Sequence, residues 1–272
     1  MNRCRAYAES FSSCVPVRQA LSSFWMNTNK YQRRFYRDWV GAKDLFKEHI
    51  VLGESDLLIL TDKPLDRSFI EKRLRLYRFA IEAYIRKDRR FETALKPLEV
   101  EITAPRIIKA MAFYAKRARV GPMATVAGAI AQFLGKDLLK RNYKNVIIEN
   151  GGDLFLKTTK TRFIGIYTGR SKIWNKLRLK IRPSDTPLGL CTSSGVLGHS
   201  LSFGNADSVT VLSRNACLAD AVATATCNLV KTKEDLKKAL RFTRGIRGVL
   251  GVVIFIKNNL MSWGRLQLDA QN

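Results

Sequence analysis

Acidic residues are scarce in this chain. Its 272 residues carry 23 Asp and Glu against 48 Lys and Arg, a net charge of +25 with a pI near 10.2. Such an excess favours polyanions as partners: nucleic acid, an anionic surface or a phosphorylated ligand. The cations are dispersed, dense over Arg67–Arg90 and recurring at Lys172–Arg182 and Lys231–Arg247. That pattern reads as a solvated face, and with no stacking-aromatic signature of an RNA-binding module, specific nucleic-acid binding is not expected. Cysteines number five (Cys4, Cys14, Cys191, Cys217, Cys227), an odd count without a CxxC pair. This argues against a disulfide framework or a structural zinc site and sets a reducing, cytoplasmic compartment as the expectation. No apolar run approaches the ~18 residues of a membrane span. No GxGxxG follows a strand. The stretch Gly128–Lys136 fails as a P-loop, because its glycines are seven apart and no Ser or Thr follows the Lys. Gly135 reads there as a helix C-cap.

What is present has ordinary apolar content, enough for a full core. Residues 1–34 read as a poorly ordered arm. They carry Arg and Ser and little acid, as a transit peptide would, but show no amphipathic repeat. Residues 35–272 read as one domain. Strands are expected between Tyr36 and Thr61, with turns at Gly41 and Gly53-Glu54-Ser55. A helix follows from Leu65 to about Arg89, its apolar residues at Phe69/Ile70, Leu74, Leu76/Tyr77, Ala80/Ile81 and Tyr84. A second helix starts at Pro105, in an N1-type position, and runs to Ala118. A third, small and apolar, spans Met123–Leu139. "NVIIEN", "DLFLKT", "RFIGIYTG", "KLRLKIRP" and "SVTVLS" read as strands, the middle ones alternating as an antiparallel sheet with one solvated face. "ACLADAVATATCNLV" reads as a buried helix and Thr232–Thr243 as another, opened by a capping box. A terminal hairpin is expected around Asn258-Asn259. The fold class is therefore α+β, with antiparallel sheets packed against helices.

Four stretches hold candidate chemistry. One is Val120-Gly121-Pro122-Met123. In Glu149-Asn150-Gly151-Gly152-Asp153 the glycines suit close ligand approach or a tight hairpin turn. Glu149, in an apolar strand, needs a partner there. Thr192, Ser193, Ser194 and Gly195 offer hydroxyls and free backbone N–H groups in a loop able to cradle phosphate. His199 follows, as a proton acceptor or as a cap on a turn. Asp220 and Thr224 share one helix face, which Cys217 and Asn228 extend. A carboxylate and a hydroxyl one turn apart suit Mg²⁺; the alternative is a buried Asp satisfied by backbone or Ser donors. A softer ion on Cys217 and Asp220 lacks further ligands.

Taken in order, "VGPMATVAGAIA", "VIIENGGDLFL", "TSSGVLGHSLSFGNADSVTVL" and "ADAVATATCN" resemble the ApbE-like superfamily of FAD:protein FMN transferases, nearest to an uncharacterised branch of it. The resemblance covers roughly Phe35–Asn228 and implies a T-fold-related α+β architecture. It implies Mg²⁺ on Asp220 and Thr224, and FAD held by Gly121, Glu149, Gly151, Gly152, Asp153, Thr192, Ser193, Ser194 and Gly195, with His199 as the catalytic residue. The family reaction moves FMN from FAD to a protein Thr and releases AMP.

Two features depart from the transferase pattern. Ser200-Leu-Ser-Phe-Gly204 stands where the transferases carry Asp-Pro-x-x-Gly after the His. Ala124-Thr125 stands near the place of a Lys-Gly. The resemblance thus leaves two functions open: FMN transfer, or non-catalytic binding of flavin or another phosphate-bearing ligand, with a link to sulfur metabolism. An acceptor protein and self-association stay open as partners.

Overall fold

The computed structural model describes residues 42–166, 177–196 and 203–270. The expected N-terminal arm, the Gly41 turn and His199 lie outside them. Eight strands form one sheet in the order β1-β2-β3-β4-β7-β8-β9-β10, every neighbouring pair antiparallel. They are β1 (Phe46–Leu52), β2 (Ser55–Thr61), β3 (Val146–Asn150), β4 (Asp153–Lys157), β7 (Leu188–Ser193), β8 (Ser208–Ser213), β9 (Val249–Ile256) and β10 (Asn259–Gly264). A smaller antiparallel sheet, β11-β6-β5, is built from β5 (Arg162–Gly165), β6 (Leu177–Ile181) and β11 (Leu268–Ala270).

The large sheet is covered on both faces, which explains why its central strands read as unbroken apolar runs. On one face Leu58, Leu60, Ile147, Leu154 and Leu188 pack with Ile164, Leu177 and Leu179 of the small sheet. On the other, Ile148, Phe155, Val209 and Val211 meet the helices. Strands β5 and β6 alternate buried and exposed residues, as their sequence pattern predicts.

The helices are α1 (Arg67–Lys87), the one-turn α2 (Arg90–Thr93), α3 (Arg106–Ala118), α4 (Val126–Lys140), α5 (Ala216–Leu229) and α6 (Leu236–Arg244). In α1 the predicted stripe is buried at Ile70, Leu74, Tyr77, Ile81 and Tyr84. Its start is set by Asp66, whose side chain accepts the Phe69 N–H at 3.0 Å. Part of its basic face is paired within the helix, Arg67 with Glu71 and Arg78 with Glu82. Such exposed pairs contribute little to stability. No helix among the described residues is long and apolar enough to cross a membrane.

Several expectations are corrected. Pro105 is the N-cap of α3 rather than its first helical residue. Pro122–Thr125 forms a 3-10 turn before α4, drawn tight by the Thr125 hydroxyl on the Pro122 carbonyl at 2.7 Å. Gly135 is no C-cap. It lies inside α4, where the Phe155 ring occupies the space a Cβ would need. Residues Leu188–Ser193, including part of the expected phosphate loop, are strand β7. The strand signal is muted because Gly189 must admit the backbone of Ala216, whose Cα stands where a Cβ would go. The terminal hairpin turns at Lys257-Asn258, one residue earlier than expected, with Lys257 at φ 54°. The Thr232/Asp235 capping box is present, leading through a short 3-10 turn into α6.

Candidate functional site

The site is built where α4 and α5 cross the end of the sheet. Helix α5 begins at Asn215, whose side chain accepts the Leu218 N–H at 3.3 Å. Every residue from Ala216 to Cys227 is buried, so its Ala-rich sequence serves close approach. Gly128 of α4 makes that approach possible. A Cβ there would lie 2.5 Å from the Ala216 carbonyl oxygen and 2.8 Å from Asp220 Cβ. The contact brings the Gly128 N–H to 2.8 Å from Asp220 Oδ2. Thr224, one turn further along α5, is buried as well.

The sheet supplies the second carboxyl. Strands β3 and β4 pair Asn150 with Asp153, leaving Gly151-Gly152 as a two-residue turn with φ of 66° and 100°. Positive φ at both positions matches the type I′ hairpin, which residues with a Cβ rarely adopt. The turn reading of the glycine pair therefore holds, while nothing lies within 4 Å of the Cβ position at Gly151, so the turn is also open. Asp153 shares the helix-facing side of β4 with Phe155. Its Oδ1 accepts the Thr192 N–H at 3.2 Å. The Cys191 thiol lies against it too, while donating to the Ala216 carbonyl at 3.4 Å.

Asp153 and Asp220 are both buried and lie close enough for each to act on the ionisation of the other. Burial raises both. Asp220 is pushed up to about 7, with the Gly128 N–H and Asp153 opposing the rise. Asp153 is driven well above the usual carboxylate range by burial first and the Asp220 charge second. No described cationic side chain is among the main causes of either shift. The Cys191 thiol is raised for the same reasons, burial and then the neighbouring carboxyls. Among the described residues no group of three or more His, Cys, Asp or Glu stands ready to hold a metal ion. A cation at this place would take two carboxylates, with the Thr224 hydroxyl on the same helix.

The other predicted residues are placed differently. Glu149 pairs with Leu154 and so faces the small sheet, opposite to Asp153. Its Oε1 accepts the Gly152 N–H at 2.8 Å, closing its own turn. Thr192 also faces that side, its hydroxyl 2.9 Å from that of Thr210. Ser193 faces the helices, with Cys191; it is 4% exposed and its hydroxyl has no hydrogen-bond partner among the described residues. Two of the expected free backbone donors are in use, the Thr192 N–H on Asp153 and the Gly195 N–H on the Ala206 carbonyl at 2.9 Å, and the next residue's Val196 N–H is on Ser194 Oγ at 3.1 Å. Strand pairing and turn closure consume them before a ligand can. Gly121 is spent on packing, since the Ala94 carbonyl takes the place of its Cβ.

Sequence reasoning missed Gly128 and Cys191 as parts of this site. The run "VAGAIA" signals close packing, but not what the glycine packs against. Asn228 does extend the face, accepting the Phe203 N–H at 2.8 Å and pinning the segment after 202 onto the end of α5.

The family model described as "AbpE bacteria" matches residues 37–256. A UPF0280 protein of Methanocaldococcus jannaschii is 39% identical over 229 residues, covering 81% of this chain and 91% of its own length. One of Methanospirillum hungatei is 43% identical over 206 residues, covering 76% and 84%. Among solved structures, the ApbE protein of Thermotoga maritima superposes with a TM-score of 0.55 at 12% identity, over 77% of this chain and 94% of that one. A mutant of the flavin transferase ApbE from Vibrio cholerae gives 0.51 at 13%, over 80% and 97%. At such identities the structural likeness is one of fold.

Proposed function

The chain belongs to the ApbE family, and from that premise we propose that it is an Mg²⁺-dependent FAD-binding protein that transfers FMN to a hydroxyl of an acceptor protein, within one domain over residues 35–272. The observation that carries the reading is the pair of buried carboxyls Asp153 and Asp220, close enough for the charge of Asp220 to raise Asp153, with no described cationic side chain among the main causes of either shift. Two acids so placed resist joint ionisation, and a small divalent cation relieves that conflict. Oxygen donors are the right kind for Mg²⁺, which takes one or two carboxylates and completes its shell with water and substrate phosphate. Asp220, Thr224 and Asp153 would hold it. Bound there, Mg²⁺ would neutralise charge on the FAD pyrophosphate.

The chain's own groups have defined tasks in this reading. The Gly128 N–H fixes Asp220 and the Thr192 N–H fixes Asp153, so both carboxyls are oriented before a ligand arrives. The Ser193 hydroxyl, without a partner among the described residues, has a donor to offer a ligand oxygen. The open Gly151-Gly152 turn lets a ligand reach the sheet end. His199, carried over by resemblance, takes the proton of the attacking hydroxyl. That oxygen bonds to the phosphorus of the FMN half, the anhydride P–O bond breaks, and AMP leaves with the bridging oxygen. The strongly basic surface favours collecting an anionic dinucleotide.

A second reading, binding without transfer, is favoured by one observation: Ser200-Leu-Ser-Phe-Gly204 in place of the Asp-Pro-x-x-Gly run. The two separate on AMP release. With FAD, Mg²⁺ and an extract of candidate acceptors, transfer liberates AMP in step with flavin fixed to protein, and His199→Ala stops both while FAD still binds. Saturable FAD binding with no AMP supports the second reading. Absence of FAD binding with and without Mg²⁺ contradicts both.

A further inference from the structure

A cavity of about 650 Å³ lies between α1, α3 and α4, bounded by the segment before α3. It is set apart from the Asp153–Asp220 pair. The lining residues of α4 are Phe133, Lys136, Asp137 and Lys140, whereas Gly128 meets Asp220 near the start of the same helix. Lys136 and Lys140 are eight and twelve residues on, about 12–18 Å along the axis at ~1.5 Å per residue. The volume is that of a small-molecule pocket.

Its walls are apolar and aromatic: Tyr77, Ala80 and Tyr84 from α1, with Phe133 edge-on to Tyr77 at 5.3 Å between ring centroids. Leu76 and Phe79, 50% and 61% exposed, form an apolar lip, with the Arg86 guanidinium 5.9 Å from the Phe79 ring centroid. The acidic groups of the cavity are already matched. Asp137 accepts from Arg73 Nε at 2.7 Å and from the Tyr77 hydroxyl at 2.5 Å. Glu101 holds Lys87 at 2.6 Å. Three further cations at the cavity, Arg106, Lys136 and Lys140, are exposed and have no acidic partner among the described residues.

We infer that this cavity binds a small anionic amphiphile, a molecule with an apolar or aryl body and a phosphate, sulfonate or carboxylate head. Neither half of the cavity is satisfied by a simpler ligand. An inorganic anion would leave the aromatic walls and the Leu76/Phe79 lip wet. A neutral apolar molecule would leave the three cations uncompensated. A body-plus-head anion buries the first and meets the second. The residues that hold Asp153 and Asp220 take no part in this site.

The test uses the full chain and anilinonaphthalene sulfonate as a fluorescent probe, displaced by decyl phosphate. The expected result is one saturable site from which decyl phosphate displaces the probe, while decanol and inorganic phosphate at equal concentration do not. The triple variant Arg106→Gln/Lys136→Gln/Lys140→Gln, confined to exposed positions, should weaken decyl phosphate at least tenfold and leave the melting temperature and FAD binding unchanged. Ala80→Trp, which fills the cavity, should abolish probe binding. Displacement by decanol as effective as by decyl phosphate, or a triple variant with wild-type affinity, overturns the inference. So does binding to phosphatidylglycerol vesicles by a protein that takes up neither soluble probe, which makes the face a membrane contact.

Discussion

The Asp220 carboxyl of α5 and the Asp153 carboxyl at the start of β4 are both buried between the helices and the sheet, close enough for the charge of Asp220 to raise Asp153. Two neighbouring acids out of water cannot both ionise cheaply, so the pair dictates how this protein responds to pH and to cations.

Stability without a divalent cation should fall with rising pH. Asp220 keeps its proton in the folded chain up to about 7, while an unfolded Asp loses it near ~3.9. The folded state therefore binds more protons between those values, and this contribution declines as pH rises through that window. Asp153 shifts the same way and adds to the decline. The exposed pairs at Glu54, Asp88 and Glu101 are lowered instead, so their contribution is lost below the window and does not mask it. Thermal melts in EDTA from pH 5 to pH 8 should show a drop of at least ~3 °C, which for a chain of this size is about 1 kcal/mol. A midpoint that rises over that range contradicts the pairing.

Gly128→Ala should be costly although Ala favours helices. The added methyl would meet the Ala216 carbonyl and the Asp220 Cβ at 2.5 and 2.8 Å, forcing α4 and α5 apart. Overpacking of this kind costs ~1–3 kcal/mol. A denaturant midpoint equal to that of the wild type would show that the helices can part freely.

Glu149→Gln should leave Mg²⁺ and FAD binding within about twofold of wild type, even though family resemblance places Glu149 in the site. Its side chain faces the small sheet and accepts the Gly152 N–H, a task the Gln amide oxygen can also perform. Loss of Mg²⁺-dependent binding in this variant would mean that Glu149 turns toward the cation.

Cys191, Cys217 and Cys227 are buried, and burial pushes the Cys191 and Cys217 thiols up. Because the thiolate is the reactive form, all three should resist iodoacetamide in the native protein and react after unfolding. Peptide mapping that finds Cys191 alkylated in the folded chain would contradict the closed helix–sheet contact.

Much of this was legible in the sequence, for reasons that can be named. The α1 stripe at Ile70, Leu74, Tyr77, Ile81 and Tyr84 repeats at helical spacing, and the Thr232/Asp235 box is a local hydrogen-bond pattern. Asp220 and Thr224 fall on one face because a helix fixes four-residue neighbours. What the sequence concealed depends on non-local contact. β7 reads as a loop because Gly189 and Cys191 are small, and they are small because α5 lies on them. Asp153 and Glu149 look like partners four residues apart, but the period of two and the intervening turn send them to opposite faces of the sheet. The apparent free amides of Thr192 and Gly195 are claimed by Asp153 and Ala206, groups distant in sequence.

The most direct measurement of the central claim is isothermal titration of FAD into wild type and Asp220→Asn at pH 8, each with Mg²⁺ and with EDTA. The amide keeps the shape of the carboxyl and an acceptor for the Gly128 N–H, but gives up the charge a hard cation needs. Wild type should bind FAD at least tenfold more tightly with Mg²⁺ than with EDTA. Asp220→Asn should lose that difference while melting at or above the wild-type temperature in EDTA, because it no longer buries a repelled carboxylate. A wild type indifferent to Mg²⁺, or an Asp220→Asn protein that keeps the full Mg²⁺ effect, would contradict the account.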